Sequence, residues 1–286
     1  MNYRHLFHAG NFADVFKHVL LSQVITALKQ KETPFFYMDS HAGEGVYDLH
    51  QIVIKSQPEY LNGIARLFAQ TSSPVEMSSY LELVKALNAE VTIPHPNKPP
   101  PRYYPGSPFI AAKLMRPQDR LVACEWQALA YAQLKKSLGG NKQCAVHHRD
   151  GYAALKAFLP PKENRGLVLI DPPFEDKQEI TLLVDALTDT WRRWPNGIYA
   201  LWLPIKGEGN IRKFYRRLQE TAIPKMLVAE FTIARQDNAL LFCGCSLVLI
   251  NPPYQIDTIF QSLLAYLQPC LAQDSQGGYQ IYWLVP

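Results

Sequence analysis

The chain contains the stretch Leu167-Val168-Leu169-Ile170-Asp171-Pro172-Pro173-Phe174, in which an apolar run ends in a carboxylate, two prolines and an aromatic ring. The run predicts a buried parallel strand whose end delivers these groups to the edge of a sheet. There, Asp171 and the carbonyl of Pro172 can accept the two hydrogens of an amino group, while Phe174 stacks on a planar heterocycle. Prolines also end strands without any further role, so the rest of the chain has to support this interpretation.

A second copy of the motif occurs later in the chain. Asn251-Pro252-Pro253-Tyr254 follows the apolar run Ser246-Leu247-Val248-Leu249-Ile250, so it too is predicted to follow a strand. A chain with one cofactor pocket has one reacting site, and only one copy can hold it. The order of the surrounding elements is needed to choose between the two.

Length and charge give broad limits. A chain of 286 residues suits one large domain, or one domain that carries an insertion. Its net charge of +4 is compatible with a nucleic-acid partner but is too small to require one. The five cysteines have neither disulfide spacing nor metal-ligand spacing, which predicts reduced thiols and no metal site.

Nothing in the sequence predicts a membrane protein. No uninterrupted apolar run reaches the roughly 18 residues of a membrane span. The first residues, Met1-Asn2-Tyr3-Arg4-His5, lack the apolar region of a signal peptide. We therefore predict a cytoplasmic protein.

Apolar runs alternate with helical patterns along residues 107–250, and a helix over 12–30 precedes a short buried strand at 35–38. This alternation predicts an α/β fold built on a doubly wound, mostly parallel, seven-stranded sheet. The end of the chain is predicted to form an antiparallel edge hairpin, with strands near 244–250 and 279–285 and no helix of comparable length.

One part of the chain differs in character from this alternation. Helical patterns cover residues 50–92, and the proline-rich stretch at 94–101 that follows is predicted to be stiff and extended. We predict a main domain formed by residues 1–45 and 101–286, with residues 46–100 as a small helical insertion.

Four successive predicted strands end in acidic residues: Asp39, Glu125, Asp150 and Asp171. The carboxyl ends of parallel strands meet at one edge of the sheet, which is where ligands bind in such folds. Glu125 is placed to hold two ribose hydroxyls, and Asp150 could accept a hydrogen bond from the amino group of an adenine. Asp171 would then face the reacting centre.

The turn after the first of these strands indicates the kind of cofactor. Gly43 and Gly45 let its backbone approach a ligand where a Cβ would collide. A nicotinamide dinucleotide fits poorly, because a carboxylate at Asp39 would repel a pyrophosphate and the usual glycine pattern is missing. The zwitterionic methionine part of S-adenosylmethionine, with its sulfonium, meets no such objection.

Taken together, these residues resemble a known family. Asp39–Gly45 is similar to the cofactor motif of class I methyltransferases, and Asp171–Phe174 to the tetrad of enzymes that methylate exocyclic amino groups. A closer resemblance, to the RlmJ family, extends over nearly the whole chain. It is carried by Tyr3-Arg4-His5, Phe7-His8-Ala9-Gly10-Asn11, Asp14-Val15, Lys17-His18, His41-Ala42-Gly43 and Tyr103-Tyr104-Pro105-Gly106-Ser107-Pro108.

The resemblance implies a Rossmann-like methyltransferase that uses S-adenosylmethionine to methylate N6 of an adenine in 23S ribosomal RNA. It implies that the cofactor is contacted by His18, His41, Ser107, Glu125, Asp150, Gly151 and Asp171. Gly43 of the turn is predicted to belong to the same set. It also implies that Tyr3 and Lys17 engage the RNA. Because Asp171 closes the fourth strand in the expected order, Asn251–Tyr254 is predicted to be structural.

The predicted function is methylation of an adenine in ribosomal RNA, and three alternative functions stay open. Asp171, Pro172 and Phe174 are predicted to hold the reacting adenine of a 23S RNA that is protein-free or in an early assembly intermediate, with no stable protein partner. The insertion is predicted to dock that RNA, because it has no evident role in the sheet. The alternatives are a DNA adenine-N6 methyltransferase, a glutamine-directed protein methyltransferase acting through Asn251, and a non-enzymatic RNA-binding module with a vestigial cofactor pocket.

Overall fold

The fold is known from a computed structural model, which describes residues 5–51, 57–91, 100–176, 178–206, 208–234 and 242–286. The strands in this part of the chain are β1 (Phe36–Asp39), β2 (Val46–Asp48), β3 (Tyr103–Pro105), β4 (Arg120–Glu125), β5 (Cys144–His148), β6 (Gly166–Ile170), β7 (Ile198–Ile205), β8 (Met226–Thr232), β9 (Gly244–Ile250) and β10 (Gly278–Val285). The α-helices are α1 (Phe12–Lys29), α2 (Ile64–Phe68), α3 (Ser78–Leu87), α4 (Ser107–Leu114), α5 (Ala128–Ser137), α6 (Gly151–Phe158), α7 (Glu179–Arg193), α8 (Glu208–Glu220) and α9 (Ile256–Leu271).

The main sheet confirms the predicted doubly wound architecture. Its strand order is β10-β8-β9-β7-β6-β1-β4-β5, and β5, β4, β1, β6 and β7 run parallel to their neighbours in that block. The chain starts in the middle of the sheet and winds outward in both directions. The carboxyl ends of all five parallel strands therefore meet at one edge.

The other side of the sheet differs from the prediction. The sheet has eight strands rather than seven. β9 is antiparallel to both β7 and β8, and β10 pairs with β8 rather than with β9. The expected hairpin of the last two strands is therefore wrong, because the 16-residue helix α9 separates β9 from β10 and returns the chain to the outer edge.

Helix α9 was absent from the prediction although its pattern is present in the sequence. Its buried side chains recur at helical spacing and are Ile256, Phe260, Leu263, Leu264, Leu267 and Leu271. The helix also contains Pro269 in its last turn.

Helix α1 is a core helix. Its amino end is capped by Asn11, whose side chain accepts hydrogen bonds from the backbone N–H groups of Ala13 and Asp14. Nearly all of its apolar side chains are buried, and so are the polar side chains of Lys17 and Gln23. A helix buried on nearly all sides must satisfy its polar side chains inside the protein.

Residues 57–91 pack on the same hydrophobic core as α1. Tyr60, Ile64, Leu67 and Tyr80 are all buried in one cluster with side chains of that helix. The antiparallel pair β2 and β3 lies at the two ends of the excursion that contains α2 and α3. The proline-rich residues 94–99 lie outside the described residues, and the division into domains stays a prediction.

No helix in the described part of the chain is both long enough and apolar enough to cross a membrane.

The burial of α1 can be tested by truncating one side chain. Leu20 is fully buried, so Leu20→Ala is expected to lower the free energy of unfolding by about 2–5 kcal/mol. Gln30, at the exposed carboxyl end of the same helix, is the matched control, and Gln30→Ala should change it by no more than about 0.5 kcal/mol. Urea denaturation would measure both, and equal small losses would contradict a buried α1.

Candidate active site

A cavity of about 390 Å³ opens at the edge of the sheet where the parallel strands end. Its wall is formed by the turn after β1, the end of β4, the residues after β6, the second half of β7 and the first two turns of α1. Both the volume and the position are typical of a small-molecule site in a doubly wound fold.

The turn after β1 is shaped by two glycines with left-handed backbone. Gly43 has φ +64° and Gly45 has φ +79°. A Cβ on Gly43 would overlap the hydroxyl of Tyr47, which accepts a hydrogen bond from the N–H of Glu44 at 3.0 Å. The glycine is therefore required by Tyr47 as well as by the left-handed conformation.

Glu125 is fixed against this turn. One of its carboxylate oxygens accepts a hydrogen bond from the N–H of Gly43 at 2.8 Å, and the other accepts one from the N–H of Gln127 at 2.7 Å. Each oxygen keeps a second lone pair. The carboxylate is thus held on the cavity wall with acceptor capacity to spare, and its predicted role in holding two ribose hydroxyls stays a prediction.

His18 reaches the cavity as a neutral imidazole. Burial lowers its pKa to about 3, and its Nδ1 is hydrogen-bonded to the Tyr104 hydroxyl at 2.8 Å. Within the described structure its buried Nε2 has no hydrogen-bond partner. Buried polar atoms are rarely left unsatisfied, so Nε2 is suited to a bond with a bound ligand.

His41 lines the same cavity, and burial lowers its pKa to about 4. Its Nδ1 is hydrogen-bonded to the Ser40 hydroxyl at 2.8 Å. A Cβ on Gly151 would collide with the His41 ring and with the Ser40 carbonyl. Gly151 therefore makes room for His41 and does not itself form part of the wall.

Other predicted cofactor residues are divided between the cavity and its surroundings. Ser107, in the first turn of α4, lines the cavity. Asp150 is exposed and does not line it; its side chain caps α6 by accepting a hydrogen bond from the N–H of Ala153 at 2.8 Å. Tyr3 lies outside the described residues. The cofactor roles of these residues stay predictions.

Lys17 lies inside the site, bonded to two carboxylates. Its ammonium donates to Asp171 at 2.6 Å and to Asp14 at 2.9 Å, and its side chain is 5% exposed. Burial alone would lower the pKa of Lys17, but the charges of Asp14 and Asp171 raise it well above its ordinary value. The resemblance implied a contact with RNA; the structure places Lys17 against the carboxylate of the tetrad.

The tetrad of Asp171 lines the cavity over its whole length. Phe174 has left-handed backbone, with φ +51°, and its ring centroid lies 6.0 Å from that of Trp202 on β7. A bulky residue in this conformation is strained, and such strain is often found at functional sites. The conformation points the aromatic ring at the cavity beside a second aromatic side chain.

The second tetrad lies at the opposite edge of the sheet. β9 is antiparallel to β7, and its last residue pairs with Tyr199 near the start of β7. The amide of Asn251 donates to the carbonyls of Pro195 at 2.7 Å and Gly197 at 2.8 Å, and Tyr254 is 88% exposed. This copy of the motif holds the α7–β7 connection, which agrees with the predicted structural role.

Two important residues of the cavity were not predicted. Asp14 bridges to Lys17 from the preceding turn of α1, and acidic and basic residues three apart on a helix are a usable signal for such a pair. Trp202 lines the cavity from the fifth parallel strand. No local pattern marks it, because only the packing of β7 beside β6 brings it near Asp171.

The fold and the cavity together define a class I methyltransferase. A glycine turn on the cavity wall, a neutral histidine with an unsatisfied nitrogen and an acidic residue at the end of β4 fit S-adenosylmethionine. The methionine carboxylate and amino groups, the sulfonium and the ribose are the parts that such groups can accommodate.

Comparison with known proteins then identifies the family. A family model described as ribosomal RNA large subunit methyltransferase D, RlmJ, matches residues 32–285. Two proteins named ribosomal RNA large subunit methyltransferase J, from Haemophilus influenzae and Escherichia coli, are each 37% identical to this chain over 100% of it and 99% of their own length. The chain therefore belongs to the RlmJ family of ribosomal RNA methyltransferases, and its cofactor is S-adenosylmethionine.

A solved structure agrees with the fold. A crystal structure of a Legionella pneumophila protein matches with a TM-score of 0.86 at 33% identity, covering 96% of this chain and 98% of that chain. The family and the fold that the sequence motifs implied are both confirmed.

The buried, neutral state of His18 predicts how stability depends on pH. Its folded pKa of about 3 lies below the unfolded value, so the unfolded chain binds more protons between the two, and stability falls as pH decreases through this window. From pH 7 to pH 5 the loss from His18 is about 2 kcal/mol. Urea denaturation at both pH values should show that His18→Gln abolishes this pH-dependent loss of stability. His148→Gln, at an exposed histidine, should leave the loss unchanged.

Proposed function

We propose that this protein transfers a methyl group from S-adenosylmethionine to N6 of an adenine in 23S ribosomal RNA. The observation that carries this proposal is the position of Asp171, Pro172 and Phe174 on the wall of the cavity that also contains the cofactor turn. Such a tetrad suits an exocyclic amino group. The names of the Haemophilus influenzae and Escherichia coli relatives support a large-subunit RNA as the substrate.

The acceptor nitrogen needs help, because its lone pair is delocalised into the adenine ring. Lys17 holds one oxygen of Asp171 at 2.6 Å, which leaves the other oxygen for one amino hydrogen. The carbonyl of Pro172 can accept the second. These two hydrogen bonds increase electron density on N6 and aim its lone pair into the cavity, and holding reactants in such geometry can supply about 7–11 kcal/mol.

Asp14 and Lys17 keep Asp171 suited to this role. Asp14 holds the Lys17 ammonium at 2.9 Å, and Lys17 in turn holds one Asp171 oxygen at 2.6 Å, which leaves the other oxygen to accept a hydrogen bond. When bound, S-adenosylmethionine would supply a methyl group on a positively charged sulfonium, whose S–CH3 bond would break to leave a neutral thioether. As N6 gains positive charge, Asp171 stabilises it, and either Asp171 or water can then take the N6 proton.

Aromatic side chains are expected to hold the base. Phe174 and Trp202 both line the cavity, and stacking of a base on an aromatic ring is worth about 1–3 kcal/mol. An adenine in a duplex would have to leave the stack before it could enter. The target is therefore an unpaired or an extruded adenine.

We also propose that residues 46–100 form an insertion in a main domain of residues 1–45 and 101–286, and that this insertion docks the RNA. The packing of residues 57–91 on α1 would place the docked RNA beside the cavity. The substrate would be protein-free 23S RNA or an early assembly intermediate in the cytoplasm.

The choice of tetrad can be tested with a matched pair of variants. Asp171→Ala is expected to reduce methyl transfer by at least about 100-fold, because N6 loses an acceptor and Lys17 loses a partner. Asn251→Ala should lower stability by about 1–3 kcal/mol through loss of its two hydrogen bonds while most of the activity remains. Transfer of labelled methyl groups and urea denaturation measure the two effects. Comparable loss of activity in both variants, with both folded, would contradict the assignment.

The substrate can be tested by offering the wild-type protein labelled S-adenosylmethionine with protein-free 23S RNA, duplex DNA or a mixture of ribosomal proteins. Label is expected in the RNA alone, as N6-methyladenine identified by mass spectrometry of nucleosides. Label in DNA or in protein would overturn the proposed substrate, and label at another RNA atom would overturn the proposed acceptor.

A further inference from the structure

The backbone ahead of α1 is docked on residues 59–64. The carbonyl of Gly10 accepts a hydrogen bond from the N–H of Ile64 at 2.8 Å. A Cβ on Gly63 would overlap that carbonyl and the backbone of Asn11. The two segments are therefore in direct backbone contact, which only glycine at position 63 allows.

Glu59 adds side-chain contacts to this docking. Its carboxylate accepts hydrogen bonds from Asn11 Nδ2 at 2.9 Å and from His8 Nδ1 at 3.0 Å. The opposite end of the Asn11 amide accepts the N–H groups of Ala13 and Asp14, so it caps α1. Because a carboxylate only accepts hydrogen bonds, Glu59 determines which way round the Asn11 amide is held.

The contacts continue from this turn to the reacting centre. The N–H of Gly10 donates to Asp14 Oδ2 at 3.1 Å. Asp14 Oδ1 accepts from Lys17 at 2.9 Å, and Lys17 donates to Asp171 at 2.6 Å. Each link is a direct hydrogen bond, and Asn11 itself lines the cavity.

We propose that Glu59 is a positioning residue for methyl transfer. It holds the turn of residues 8–11, and with it the first turn of α1, so that Asp14 and Lys17 keep the Asp171 carboxylate aimed at the amino group. This inference rests on the proposed function. Since Glu59 lies within residues 46–100, it joins the segment proposed to dock RNA to the geometry of the reacting carboxylate.

A purely structural role makes a different prediction. The His8 and Glu59 side chains are 39% and 42% exposed, and exposed ion pairs contribute little to stability. If Glu59 only helped the fold, its removal would lower stability and leave the turnover of the folded enzyme unchanged. If it contacted RNA, the KM for RNA would rise instead.

The test compares Glu59→Ala and Glu59→Gln with Glu220→Ala, a control that removes the same charge from an exposed position at the end of α8. Steady-state methylation of 23S RNA at saturating S-adenosylmethionine should show kcat reduced about tenfold or more in Glu59→Ala. The KM for RNA and the affinity for S-adenosylmethionine should stay unchanged. Glu59→Gln should recover most of the turnover, because its amide oxygen can still accept from Asn11, and Glu220→Ala should match the wild type.

Thermal unfolding of each variant shows whether it is folded. If Glu59→Ala does not fold, Glu59→Asp replaces it. The shorter aspartate keeps the negative charge but moves the carboxylate away from Asn11 Nδ2, so the same fall in kcat is expected.

Three results would overturn the inference: unchanged kcat in Glu59→Ala, a raised KM for RNA with normal kcat, or equal loss in Glu59→Ala and Glu59→Gln while both are folded. The wild type is assayed in parallel for N6-methyladenine in the RNA. If the wild type makes no N6-methyladenine, the proposed function is overturned. If the wild type makes N6-methyladenine and Glu59→Ala has the same kcat, only the role of Glu59 is overturned.

Discussion

The buried ion pair between Lys17 and Asp171 is the contact on which the arrangement of this protein depends. It joins the first helix to the end of β6 across 154 positions of the chain, and Asp14 completes the bridge. A buried ammonium is tolerated only when its charge is compensated, and removing one partner from such a pair typically costs about 3–5 kcal/mol. α1 must therefore lie with its first turns at the carboxyl edge of the sheet, where the cofactor and the methyl acceptor have to meet.

Strand direction then decides which groups can share the cavity. The parallel block brings Glu125 and Asp171 to one edge, whereas the antiparallel β9 carries Asn251 to the other. Two motifs that look nearly equivalent in sequence therefore lie at opposite ends of the strands. The amide hydrogens of Asn251 bind the carbonyls of Pro195 and Gly197 in the α7–β7 connection, and Asn251 does not line the cavity that contains Asp171.

Charge is distributed across the cavity in a way that suits a cationic methyl donor. Asp14, Lys17 and Asp171 have a formal charge of −1 together, Glu125 lines the cavity beside the turn of Gly43, and His18 is kept neutral by burial. Because these groups are already hydrogen-bonded, they need little rearrangement when positive charge develops on the acceptor nitrogen. Such a preorganised site suits the methyl transfer to an amino group proposed above.

Local patterns in the sequence by themselves determined the alternation of strands and helices, the glycine turn at Gly43 and the tetrad at Asp171, because each is contained in a few consecutive residues. The helical spacing of the buried residues in α9 is also contained in the sequence. Only the tertiary structure decided that Lys17 is buried, that Asp150 caps α6 outside the cavity wall, and that β10 pairs with β8. These features depend on contacts between residues far apart in the chain, and their free energy comes from how whole elements pack, which the spacing within any one element does not encode.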